Sequence, residues 1–325
     1  VWTAEGQVDL SRLIAVEVVA DTWDAGFTLD LDGVAFANPG EPCPLDWPEP
    51  EVGQPEPEWP NDQSKVNGDP WLRAHLYAKR LEEHYADVMA FLGVTDETFA
   101  HAREQWDTTK PYVGVGPYMG QKGKYEVLIL PSEGTSKDYL RNKLGLTTKL
   151  SQRWHIVERG SLQLIVHTDQ GKLKIDEALH GHVVFNVTHM LMNGYKHYSY
   201  DKPIWVREGA AHWFERRINP KFNKFDSAEG SAAEKIRKTE WEAPTAKLVR
   251  SGDAPSFAAL INIRTFAELE QEHHYATWSI VDFLTAAHPE FLPKYFERIA
   301  GLMTEDYLPD AGMLPDAQRA AFKEE

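Results

Sequence analysis

The spacing of hydrophobic and polar positions changes several times along the chain, and each change predicts a different kind of structure. Residues 9–36 alternate apolar and polar side chains on either side of a "WDAG" turn, which predicts two β-strands. Residues 37–66 contain eight prolines among acidic residues, a composition typical of an extended linker or of a strap over a surface. We therefore expect three segments, which are a strand pair within residues 1–36, the linker or strap over residues 37–66 and the main domain over residues 67–325.

The first half of this domain mixes helical and strand patterns. A helix is expected to begin at Pro70, because its apolar residues recur at helical spacing, and to stop at Gly93. A second helix is expected from Thr95. The apolar run "KYEVLIL" and the stretches "RWHIVER" and "SLQLIVHT" predict three strands, of which the last two pair with each other.

Helix-capping patterns place two further helices around these strands. Thr135 and Asp138 form a capping-box pattern for a helix that ends at Gly145. Asp176 is expected to cap an apolar helix that ends at an Asn-Gly pair, and from Pro203 onward the pattern is mostly helical. The predicted class is α+β, with a small mixed sheet, a buried helix and a helical C-terminal half, preceded by the hairpin and the linker.

Composition and charge exclude several classes of function. The 325 residues are 42% hydrophobic and 26% charged, which is ordinary for a globular protein. A net charge of −16 argues against nucleic-acid binding, and no apolar run is long enough for membrane insertion. The single cysteine, Cys43, excludes an internal disulfide and a cysteine-based metal site. Because the sequence opens at Val1 without an initiator Met, we expect a chain trimmed from a longer precursor, and an extracellular, periplasmic or cell-surface location.

Four stretches, taken in order, resemble the gluzincin metallopeptidases of the peptidase MA group. They are "WLRAHLYAKRLEEHYADVMAFLGV", "YEVLILPSEGTSKDYLRNKLG", "PIWVREGAAHWFE" and "HHYATWSIVDFLTAAHPEFLPKYFERI", and they lie within residues 70–300. The resemblance implies a zinc-peptidase fold. Residues 9–36 resemble the end of a galactose-binding-like carbohydrate-binding module, and the alternative is a hairpin packed on the main domain.

The family's His-Glu-x-x-His motif is altered in this chain. The resemblance places the motif on residues 185–189, which read Phe-Asn-Val-Thr-His. His189 then matches the second zinc-binding histidine, and Glu208 matches the third ligand. Phe185 stands where the first histidine would be and cannot bind metal, and Asn186 replaces the general base. The resemblance therefore implies a degenerate site without tightly bound zinc.

Other polar residues could form a different site. His182, Asn186 and His189 share one face of an apolar helix, where hydrogen bonding inside the core is the simpler interpretation. His212 follows Glu208 by four residues, so His189, Glu208 and His212 could bind a metal ion such as zinc, or form a structural polar cluster.

Candidates for catalytic roles are weaker. A rearranged metal site would need a base, for which Glu177 or Glu215 could serve. Tyr275 resembles the tyrosine that the family places near the oxyanion, although it could equally be a core residue. The predicted cleft residues are His182, Asn186, His189, Glu208, His212 and Tyr275.

Three functions remain open at this level. The favoured one is a catalytically degenerate pseudopeptidase that binds a peptide, a glycan or another protein chain. The second is an active metal-dependent hydrolase with the rearranged site. The third is a structural role in which the proline-rich strap and the hairpin mediate assembly.

Overall fold

The structure is a computed structural model that describes residues 70–100, 102, 112–220, 223, 240–303, 305–306, 308–310 and 318. The chain separates into Val1–Glu58 and Trp59–Glu325, and every described residue belongs to the second unit. The strand pair expected at residues 9–36 and the linker expected at 37–66 lie outside the described residues.

Helices surround a small sheet in the described part of the chain. In chain order the elements are α1 (Pro70–Phe91), α2 (Asp96–Phe99), β1 (Glu126–Leu130), α3 (Glu133–Leu144), β2 (Gln152–Ile156), β3 (Ser161–His167), α4 (Asp176–Gly194), α5 (Ile204–Ile218), α6 (Glu242–Ser251), α7 (Phe257–Leu260), α8 (Gln271–Ala287) and α9 (Phe291–Ala300). Short 3₁₀ turns lie at Val157–Arg159 and Phe266–Glu268. The class is α+β, as predicted.

The sheet has the strand order β1-β3-β2 and is mixed. β1 runs parallel to β3, with Leu128 opposite Ile165, and β2 runs antiparallel to β3, with Trp154 opposite Gln163. Every residue of β3 is buried, whereas β1 and β2 are mostly half-buried. The predicted pairing of the second and third strands is confirmed, and β2 forms one edge of the sheet among the described strands.

Helix α4 is the buried centre of the domain. All but two of its residues are buried, because it packs on β3 and α1 on one side and on α5 on the other. This arrangement follows from the apolar composition of α4 around its whole circumference. Among the described residues, none of the helices is both long and apolar enough to cross a membrane.

Helices α5 and α8 approach each other unusually closely at Gly209. A Cβ at this position would lie 2.5 Å from the carbonyl oxygen of Thr277, which is closer than real contacts allow. The absence of a side chain at Gly209 therefore permits the contact, and it brings the first turns of α8 beside the middle of α5.

Two predicted helix starts need correction. The N-cap of α3 is Ser132, whose Oγ accepts a hydrogen bond of 3.1 Å from the Thr135 backbone N–H, so the helix begins before Thr135. Asp176 lies inside α4 rather than capping it. Its carboxylate instead forms a salt bridge of 2.8 Å with Arg80 on α1, a partner that local sequence could not reveal.

Candidate functional site

A buried cluster of three histidines surrounds Glu208. One carboxylate oxygen, Oε2, lies 3.2 Å from His189 Nε2. The other, Oε1, lies 3.0 Å from His212 Nε2 and 3.5 Å from His274 Nδ1. The four side chains have no exposed surface. His189 and Glu208, which the family resemblance puts at one metal site, therefore lie together across two helices.

The four members of the cluster come from three helices. Glu208 and His212 are one turn apart on α5 and so point the same way, while His189 comes from α4. His274 comes from the first turns of α8, which the glycine at position 209 allows to approach.

His212 links the cluster to a second carboxylate. Its Nδ1 donates a hydrogen bond of 3.1 Å to Glu215 Oε2, and its Nε2 lies 3.1 Å from His274 Nδ1. Burial alone would lower the pKa of His212, but the carboxylates of Glu208 and Glu215 outweigh it and raise the pKa to about 9. In the absence of a metal ion, a protonated His212 therefore balances part of the buried negative charge.

The pKa values of the other three cluster members are also shifted by their surroundings. Burial would raise the pKa of Glu208, yet the three imidazole rings hold it well below its ordinary value. Burial lowers the pKa of His189 to about 4, assisted by the positive charge of Arg153. Burial also lowers the pKa of His274. Both of these histidines are neutral at pH 7.

Phe185 packs against two histidines of the cluster, at the position where the resemblance implies a zinc-binding histidine. Its ring centroid lies 4.9 Å from that of His189 and 5.1 Å from that of His212. An apolar ring between two imidazoles offers no donor atom. The three residues that the resemblance would place at a zinc ion, Phe185, His189 and Glu208, therefore supply only two donor side chains and do not fit a three-ligand site.

A different set of donors fits a metal ion better. One ligand atom from each of Glu208, His212 and His274 lies within 4.8 Å of the others, so this triad could hold an ion. His274 was not among the predicted ligands. The signal available in the sequence was its spacing with Thr277 and Val281, which places it on the buried face of α8.

Asn186 is tied to the sheet rather than to the cluster. Its Oδ1 accepts a hydrogen bond of 2.7 Å from Arg153 Nη1 on β2, and its Nδ2 donates to the His182 carbonyl at 2.8 Å. The His182 ring lies 2.8 Å from the Ser151 hydroxyl. His182 and Asn186 thus make hydrogen bonds at the core boundary, and Arg153 is a site residue that the sequence did not single out.

Two predicted candidates make their hydrogen bonds outside the cluster. Glu177 is exposed near the start of α4, where it accepts a hydrogen bond of 2.6 Å from Asn219. The Tyr275 hydroxyl accepts one of 2.6 Å from Gln271, and its ring packs on Trp241 at 5.3 Å. Neither makes a recorded contact with Glu208, whereas Glu215 does join the cluster through His212.

A cavity of about 210 Å³ opens on the other side of Asn186. Its polar lining includes one cation, Arg153, and no carboxylate, although the whole chain carries a net charge of −16. The lining residues are Leu150, Ser151, Gln152, Arg153, Trp154, His155, Leu162, Asn186, Met190, Asn193, Tyr198 and Tyr200. We call this cavity the β2 cleft.

Comparison with known proteins identifies no relative of this chain. No protein-family model, no curated protein and no solved structure matches the chain. The gluzincin resemblance thus rests on the four sequence stretches alone, and the residues themselves carry the functional argument.

Proposed function

We propose that this domain is a non-catalytic, metallopeptidase-like module that binds an extended peptide along β2. The observation that carries the proposal is the 2.7 Å hydrogen bond from Arg153 to Asn186, at the position where the resembling family has its general base. An amide held by a guanidinium cannot take a proton from water.

The β2 cleft has the features of a peptide-binding groove. Among the described strands β2 pairs only with β3, so its outer edge retains backbone donors and acceptors. An extended peptide can add to such an edge through main-chain hydrogen bonds, while pockets beside it select side chains. The ring of His155 stacks on Tyr198 at 4.1 Å and forms one wall of the cleft.

The charge of the cleft favours an acidic ligand. Arg153 is the cation on its lining, and Arg207 is close enough to lie within its electrostatic influence. A carboxylate on the peptide, from Asp, Glu or the C-terminus, would pair with the Arg153 guanidinium. The volume of about 210 Å³ suits one such side chain rather than a long oligomer.

The proposal is tested by binding measurements on immobilised synthetic decapeptides. We expect the protein to bind acidic decapeptides more tightly than neutral or basic ones, and we expect this binding to weaken as the salt concentration rises. Peptides with proline at alternate positions should not bind. Arg153→Ala should reduce the affinity by at least about tenfold, which corresponds to roughly 1.4 kcal/mol. Mass spectrometry should detect no cleavage of the bound peptides.

A matched control comes from another arginine on the surface. Arg141 is exposed on α3, so Arg141→Ala should leave binding unchanged. Selective binding on a glycan array with no peptide binding would overturn the proposal, and so would equal affinity of the wild-type and Arg153→Ala proteins.

A second function is favoured by one observation. His189, Glu208 and His212 do converge, as an active hydrolase with a rearranged site would require. Their complete burial opposes this, because a substrate cannot reach them in this conformation. Chelator-sensitive cleavage of the same decapeptides, lost in His212→Gln, would establish the hydrolase instead.

A further inference from the structure

We propose that Glu208, His212 and His274 form a structural site for a divalent transition metal, displaced from the family's zinc position. The ligand atoms are Glu208 Oε1, His212 Nε2 and His274 Nδ1. This inference does not depend on peptide binding, because none of the three residues lines the β2 cleft. It also replaces the expectation that the chain carries no tightly bound zinc.

The separations of these atoms match a tetrahedral ion. The three edges of the triangle measure 3.0, 3.1 and 3.5 Å. Ligands about 2.0–2.1 Å from a tetrahedral zinc ion lie about 3.3 Å from one another. An ion can therefore sit against one face of the triangle after only small side-chain movements.

The carboxylate at the centre lacks satisfactory hydrogen bonds within the described residues. Three imidazole nitrogens lie near Glu208, yet neither of its oxygens has a hydrogen bond of acceptable geometry. The two ring nitrogens of His189 also lack a hydrogen bond of acceptable geometry within the described residues. Buried polar atoms of this kind are costly without partners, and a cation would satisfy the carboxylate.

His189 could supply a fourth ligand atom. Its Nε2 lies 3.2 Å from Glu208 Oε2, whereas the other two histidines contact Oε1. A shift of the carboxylate toward two-oxygen binding would bring this nitrogen nearer to the ion. The site would then be closed to water, as structural zinc sites are.

Glu215 completes the arrangement by orienting His212. The hydrogen bond of 3.1 Å from His212 Nδ1 to Glu215 Oε2 leaves Nε2 directed at the triad. Metal-binding histidines commonly donate their other ring N–H to a carboxylate in this way. One divalent ion would also balance the two negative charges of the buried Glu208 and Glu215 carboxylates.

The donor set selects the class of metal. Two or three imidazoles with one carboxylate suit zinc, cobalt, nickel or copper, whereas calcium and magnesium prefer oxygen ligands. Since Glu208 and His212 come from α5 and His274 comes from α8, the ion would join these two helices and stabilise the domain, and binding by His189 would add α4. Its loading is expected to occur during folding.

The first test measures metal in the full chain expressed in minimal medium supplemented with zinc. Mass spectrometry of the purified, dialysed protein should give about one equivalent of zinc, with X-ray absorption showing nitrogen and oxygen ligands about 2.0–2.1 Å away. Protein produced with cobalt should show the strong visible absorption of tetrahedral Co²⁺. Less than about a tenth of an equivalent of either metal would overturn the proposal, since a closed site retains its ion through dialysis.

The second test assigns the ligands. His274→Gln should lose the bound metal, and Glu215→Gln should weaken zinc affinity by about 10–100-fold. His288→Gln, which changes an exposed histidine, should keep the full equivalent. If His274→Gln does not fold, the cobalt spectrum and X-ray absorption of the wild-type protein still decide the question. A folded His274→Gln protein that keeps its metal would refute the assignment.

Discussion

The ring of Phe185 packs edge-on against the imidazole of His189, with 4.9 Å between the ring centroids. In the family that this chain resembles, the two positions would both bind zinc. Here position 185 carries an apolar ring instead of a donor atom, and His189 faces Glu208. The other oxygen of Glu208 lies beside His212 on α5 and His274 on α8.

The first prediction restores the missing ligand. In a His274→Gln background, Phe185→His should create zinc binding, because the new imidazole would lie beside His189 and Glu208 in the family's arrangement. Metal content after dialysis measures the result. Phe185→Leu in the same background is the control and should bind no zinc. An absence of zinc in a folded Phe185→His protein would argue against the gluzincin assignment.

The second prediction concerns the glycine that lets two helices meet. Gly209→Ala should destabilise the domain by about 1–3 kcal/mol or more, because the added methyl group would press on the Thr277 carbonyl and force α5 and α8 apart. It should also remove the proposed metal, since His274 would move away. Urea denaturation and metal analysis give the two readouts.

A helical glycine with space around it supplies the comparison. At Gly134 the nearest atom to an added Cβ is Ser132 Oγ at 3.7 Å, an ordinary contact. Gly134→Ala should therefore leave stability unchanged or raise it by up to about 1 kcal/mol. Equal effects of the two substitutions would show that the close approach at Gly209 is not important.

The third prediction concerns a buried lysine at the end of α4. Lys202 Nζ donates hydrogen bonds to four backbone carbonyls, those of Met192, Asn193, Tyr195 and His197, at 2.6–3.1 Å. Lys202→Met should cost about 3 kcal/mol or more, because each of the four carbonyls would lose one hydrogen bond and, among the described residues, only those of Asn193 and Tyr195 would keep a second one, from the Ser199 and His197 backbone N–H groups. Urea denaturation measures the change. Lys137→Met, which removes a half-exposed ion pair, should cost well under about 1 kcal/mol.

The fourth prediction is a loss of stability in mild acid. Burial lowers the pKa of His84 from its ordinary value of 6.5 to about 3. Its ring donates a hydrogen bond of 2.9 Å to the Thr188 hydroxyl, which in turn donates to the Val184 carbonyl. Because the unfolded chain takes up a proton below pH 6.5 and the folded chain does not, stability falls as the pH falls from 6.5 toward 3.

The size of this effect can be isolated with one variant. Between pH 7 and pH 5, His84 alone should reduce the free energy of unfolding by about 2 kcal/mol. His84→Gln keeps a donor for Thr188 but does not titrate, so its stability should fall less over the same range by that amount. Parallel losses in both proteins would show that His84 is protonated in the folded state.

Much of the fold followed from the sequence because the relevant signals are local. The helical spacing after Pro70, the continuous apolar run of β1 and the apolar composition of α4 each depend on neighbouring residues. The spacing of Glu208 and His212 also follows from one helical turn. The structure contains each of these features.

Capping and ion pairing were less predictable because each site has several potential partners. Asp176 has the residue type of an N-cap, yet Arg80 lies 96 positions earlier in the chain and takes its carboxylate. Only the packing of α1 against α4 decides between these two roles.

The sequence by itself determined that residues 185–189 lack two of the functional groups of a His-Glu-x-x-His motif, because Phe185 has no donor atom and Asn186 cannot act as a base. Only the tertiary structure decided which groups surround Glu208 and Asn186. His274 reaches Glu208 because Gly209 allows α8 to approach α5, and Arg153 on β2 reaches Asn186 on α4 through a hydrogen bond of 2.7 Å. Contacts between residues this far apart depend on how helices and strands pack, and local sequence patterns do not encode that packing.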